Sequence, residues 1–98
     1  MKPFIRTCLD LIGEYLVDGL RYDELVFRLE SEMIESQMPD GAFRTEWYKF
    51  WEDLEFENAI VLAPDQSAKD FIGRRTERHE IAEKFMKWLE SEDRSRAA

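Results

Sequence analysis

Residues 43–60 read FRTEWYKFWEDLEFENAI, and six of the first fourteen are aromatic: Phe43, Trp47, Tyr48, Phe50, Trp51 and Phe56. Rings at this density line a ligand pocket, grip a partner, or fill a core. Strand alternation fails at once, because Trp47-Tyr48 and Phe50-Trp51 are adjacent pairs that a strand would send to opposite faces. At about 100° per residue, Phe43, Trp47, Phe50, Trp51, Leu54, Asn58, Val61 and Leu62 share a face about 100° wide, with Glu46, Lys49, Asp53 and Glu57 roughly opposite. The spacing predicts a helix over about 43–62 whose rings are core. Asn58, within the stripe, is expected to find a neighbouring hydrogen-bond partner.

Phe56 and Ile60 do not fit this stripe. They project about 140–180° away from it, one turn apart, among the charged residues. Either a segment after Pro64 covers them, or they form a contact surface.

Outward from this helix, punctuation divides the chain. Met38-Pro39-Asp40-Gly41 is a strong breaker before it, and Pro64 stops it at or before Ala63. Upstream, Phe4, Ile5, Cys8, Leu9, Leu11, Ile12, Tyr15 and Leu16 form one wide apolar face, predicting a helix over about 3–18. Pro3 suits its first turn, and Gly19 suits the left-handed position after its end. A second helix follows over about 22–36: Asp23 and Glu24 meet its positive end, and Tyr22, Leu25, Val26, Leu29 and Met33 repeat at helical spacing, with Phe27 and Ile34 widening that face. The short connection predicts an antiparallel hairpin of the first two helices. Downstream, Ile81, Phe85, Trp88 and Leu89 predict a helix over about 76–91, with Thr76 as N-cap. Ser67-Ala68-Lys69-Asp70 resembles a capping box and opens a short helix near 67–72, and residues 92–98 are expected to fray. The fold class is all-α: one domain over 1–98, a bundle of four main helices.

Composition narrows function by exclusion. The 98 residues carry a formal net charge of −8. Residues 1–65 hold fifteen acids against six bases, and residues 66–98 hold seven against eight. The acidity therefore belongs to the first two-thirds, which repels phosphate backbones and favours a basic partner. The basic run GRRTER, 73–78, lacks an aromatic stacking platform and reads as pairing with acids of the second or third helix rather than binding nucleic acid. The lone Cys8 forms no internal disulfide and lies on an apolar face as an inert thiol. Arg6, Asp10 and Glu14 interrupt the N-terminal apolar stretch, so no signal peptide or membrane span is expected and the cytoplasm is the expected compartment.

Chemistry-bearing motifs are few. The single His79 has Glu83 four residues on, where a zinc metalloprotease helix needs a second His, so it reads as a surface residue. The four glycines are isolated, and no phosphate loop occurs. Glu52 with Glu55, and Asp53 with Glu57, share helix faces as paired carboxylates, but pairs are common at this acid content.

LIGEYLVDGLRYDELVFRLE, residues 11–30, resembles the opening helical hairpin of small acidic bacteriocin immunity proteins of the colicin D type. That resemblance implies a helical bundle that blocks a basic nuclease domain by presenting carboxylates. It covers about 20 residues of ordinary hairpin pattern, and no site residue is carried over from it.

The residues thus describe a non-catalytic interaction protein without cofactor or metal. Its expected partner is a basic protein, met by Glu46, Asp53 and Glu57 with Phe56 and Ile60 as apolar anchor; inhibition of that partner is the sharpest version. A homodimer through the Phe56/Ile60 patch is one alternative, and a carboxylate–metal enzyme is another.

Overall fold

The computed structural model describes residues 2–61 and 75–97, with side chains placed for 3–59 and 75–95. Four helices make up the described chain: α1 (Lys2–Leu16), α2 (Tyr22–Ser36), α3 (Ala42–Val61) and α4 (Arg75–Ala97), and no strand occurs among the described residues. Each helix packs on its neighbours in chain order, and α4 closes the ring onto α1.

Side-chain contacts set the directions. Tyr22 Oη donates to the Leu54 carbonyl at 2.7 Å, and Trp51 Nε1 donates to the Val26 carbonyl at 3.0 Å. As numbering rises along α2 it falls along α3. Phe43 stacks on Trp88 at 5.2 Å and Trp47 meets Phe85 at 5.6 Å, so α3 and α4 are also antiparallel. Asp18 pairs with Arg75, while Gly13 lies beside Met86, which reverses α4 against α1. The result is an up-down-up-down bundle.

The aromatic stripe of α3 does what its period predicts. Trp47 and Leu54 are fully buried, Phe43 is buried, and Phe50 and Trp51 are half-buried against the core. They meet Ile5, Cys8 and Ile12 of α1, Leu25, Leu29 and Met33 of α2, and Ala82, Phe85 and Leu89 of α4. Rings interlock edge-to-face and offset, as between Phe50 and Phe85 at 5.4 Å, an arrangement that adds to simple area burial. Burial also pushes the Cys8 thiol up to about 12; the Trp47 indole N–H opposes that rise and the Glu32 charge adds to it. This thiol is inert in the folded protein.

Several boundaries and faces differ from expectation. The α1–α2 connection begins earlier, because α1 ends at Leu16 in a Schellman turn: Gly19 N–H donates to Glu14 O at 2.7 Å and Asp18 N–H to Tyr15 O at 3.0 Å. The left-handed residue is Asp18 (φ 63°), not Gly19. Gly19 fits for a different reason: a Cβ there would stand 3.3 Å from the Glu14 carbonyl, a tight contact. Phe27 and Ile34 do not widen the α2 core face but are exposed, at 72% and 64%. The core residues of α2 already span about 100°, and these two lie about 80–100° beyond its edge. Helix α4 begins at Arg75, which puts Thr76 in its first turn, and it continues to Ala97 through the tail expected to fray. Asp93 there is half-buried and flanks a shallow groove with Arg6 and Leu9, so α1 runs alongside the last turns of α4. The short helix expected near 67–72 lies outside the described residues.

Candidate functional site

Two regions hold chemistry: a polar cleft at one end of the bundle, and the outer faces of α2 and α3.

The cleft forms where α1 ends, α2 and α4 begin and α3 approaches its end. It encloses about 650 Å³ between Tyr15, Tyr22, Asn58, Arg78 and His79, with Asp18, Arg75 and the α1–α2 turn at its rim. Tyr15 packs edge-on to Tyr22 at 5.4 Å and tilts against His79 at 5.0 Å. His79 is therefore half-buried in an aromatic contact rather than a surface residue. Arg78 is buried, 3% exposed, with its guanidinium 5.4 Å above the Tyr22 ring, a cation–π arrangement. Burial raises the Tyr22 phenol strongly; the neighbouring Tyr15 and the Glu57 charge add to the rise, and Arg78 opposes it. Tyr15 is also raised, by burial first, with Arg78 and Arg75 opposing. The described part of the basic run thus turns toward α1 and α2: Arg75 Nη2 donates to Asp18 Oδ1 at 2.8 Å, and Arg78 covers Tyr22. Arg21, also at the rim, pairs with Asp23 and Glu24. Among the described lining residues the three arginines are matched by three carboxylates, Asp18, Asp23 and Glu24.

Of the five residues expected to meet a partner, the structure keeps three on the outer surface. Phe56 is 66% exposed, and Asp53 on the preceding turn is exposed beside it. Glu46 is partly exposed and accepts a hydrogen bond from Lys49 Nζ at 3.0 Å. Ile60 belongs to α3, but its side chain is outside the described set. Glu57 requires a correction. It is 5% exposed, not a solvent-facing carboxylate. Glu57 follows Phe50 by seven residues, about 20° around the helix, and follows Leu54 by three, so it sits at the stripe's edge where α4 packs. Its charge acts on Tyr22 in the interior.

Charge divides the bundle lengthwise. Helix α2 carries five acids against one base and α3 five against two, a net of −7 for this half. Helix α1 carries two of each and α4 six of each, so the other half is neutral. Three of the four large apolar side chains exposed among the described residues, Phe27, Ile34 and Phe56, stand on the acidic helices; the fourth, Val17, is in the α1–α2 turn. Sequence reasoning missed Phe27 and Ile34 as surface residues. The signal was present: each directly follows a core residue, Val26 or Met33, on a helix whose apolar face was already complete.

Among the described residues, no three His, Cys, Asp or Glu side chains come together as ligands for a metal ion. No described helix is long and apolar enough to cross a membrane. The chain matches no protein family, no curated protein and no solved structure.

Proposed function

We propose that this chain is a small interaction protein whose acidic half, α2 and α3, receives a basic protein partner. The observation that carries this reading is the coincidence of net charge and exposed apolar side chains on the same two helices. A surface that serves solubility alone has no use for phenylalanine rings standing among its carboxylates. On α3 the contact centres on Phe56, with Glu52 and Asp53 one turn before it. Carboxylates steer the encounter and set its salt dependence; the ring supplies a desolvated anchor. Stoichiometric inhibition of the partner is the sharpest form of this function. Homodimerisation through the same half is disfavoured, because it would bring two surfaces of net −7 face to face.

The test is affinity capture from the native cell followed by association kinetics. A basic protein is expected, and Glu52→Gln with Asp53→Asn slows its association severalfold at low salt, a difference that high salt abolishes. Phe56→Ser instead speeds dissociation while leaving the melting temperature unchanged. An acidic partner, or association rates indifferent to both charge variants, would sink the reading.

A further inference from the structure

The function above counts the exposed side chains of α2 but assigns its outer ridge no contact. Phe27 and Ile34 are separated by seven residues, which places them about 20° apart around the helix and about 10 Å apart along it. Between them stands Ser31, a small half-buried residue whose hydroxyl donates to the Phe27 carbonyl at 3.0 Å. With that hydroxyl turned back onto its own helix, the ridge is two apolar projections with a notch between them. Two turns of helix is also the repeat at which an amphipathic helix presents its own apolar side chains.

We propose that this ridge docks a cationic amphipathic helix of the basic partner, lying along α2 with one apolar side chain seated over Ser31 between Phe27 and Ile34. The proposal rests on the reading of the acidic half as a docking surface for a basic protein. Charge selects the occupant. Glu30 stands one turn before Ile34 with Glu35 beside it, Asp23, one turn before Phe27, is paired with Arg21, and the helix as a whole carries net −4. Lysines or arginines flanking an apolar stripe complement that pattern. A second copy of α2 would bring a further −4 onto the same line, and an anionic membrane or nucleic acid would be repelled in the same way.

Two probes test this: a synthetic Leu/Lys peptide of about four helical turns with apolar residues at i, i+3, i+4 and i+7, and an oligolysine of equal length. Fluorescence anisotropy of each against the full chain, with amide chemical-shift mapping, gives affinity and location. The patterned peptide binds about tenfold tighter than oligolysine, with shifts concentrated on residues 23–35. In the Phe27→Ser/Ile34→Ser double variant that advantage disappears, while oligolysine binding is unchanged. Shifts centred away from α2, or a patterned peptide indifferent to the double variant, would overturn the ridge and leave the acidic half standing so long as oligolysine still binds α2 and α3. Failure of both cationic probes to bind the unaltered protein overturns the two readings together.

Discussion

Midway along the bundle and at its cleft end, the same four helices meet on different terms. The midsection is closed by Ile12, Leu29, Trp47 and Phe85, all fully buried, and the polar groups among them, the Cys8 thiol and the Trp47 indole N–H, carry no charge. The cleft end is closed by Tyr15, Tyr22, Glu57 and Arg78, two rings and two charges, with His79 against Tyr15. In the midsection, stability follows volume and shape. At the end it depends on two buried charges, Glu57 and Arg78, that both act on the Tyr22 phenol. A four-helix bundle can thus be apolar in section and ionic at a terminus without any break in its helices.

Trp47→Ala is the hardest blow to the midsection. Removing a fully buried indole that contacts Phe4, Tyr48 and Phe85 costs about 3–5 kcal/mol, read as a fall in the denaturant midpoint. A loss below about 1 kcal/mol would mean the stripe is not the centre of the core.

At the cleft end, Arg78→Met is expected to cost about 3 kcal/mol, because Glu57 stays buried while the cation that shares the Tyr22 phenol with it is gone. Adding Glu57→Gln restores most of that loss. A double-mutant cycle measures the coupling; strict additivity would show that the two charges act independently, and the contrast between the regions would fail.

The smallest effect treats both regions at once. Cys8 and Tyr22 are acids held neutral by the fold, with ordinary values of 9.0 and 10.0 and folded values above them. Such a group contributes its full stability below the ordinary value and loses it as pH rises toward the folded one, because the unfolded chain ionises first. Stability is therefore insensitive to these groups below about pH 9 and declines above it, by about 1.4 kcal/mol per group at one unit past the ordinary value. Cys8→Ala removes the midsection's share and leaves the tyrosine share. An alkaline limb unchanged by that substitution would place the whole effect at the cleft end.

Much of this architecture is legible from period and punctuation. The bounds of α2 follow from its apolar spacing and the Pro39-Asp40-Gly41 breaker, and the stripe of α3 follows from adjacent aromatic pairs that only a helix can place on one side. Angles around a single helix do not say which neighbour covers each edge. Glu57 lies where α4 arrives, so it is buried; Phe27 lies where nothing in the described bundle packs over it, so it is exposed. Likewise His79 reads as polar surface until the end of α1 brings Tyr15 against it. The proposed docking surface was half legible: Asp53 and Phe56 from the wheel, the α2 ridge only once the core was seen to be full without it.

The lengthwise division of charge makes this molecule an electric dipole oriented across its long axis. In the field of a cationic surface such a body feels torque as well as attraction, and at about 0.1 M salt the torque acts over roughly a 10 Å range. It rotates before it touches. First collisions are therefore weighted toward one flank, and added electrolyte degrades aim together with speed.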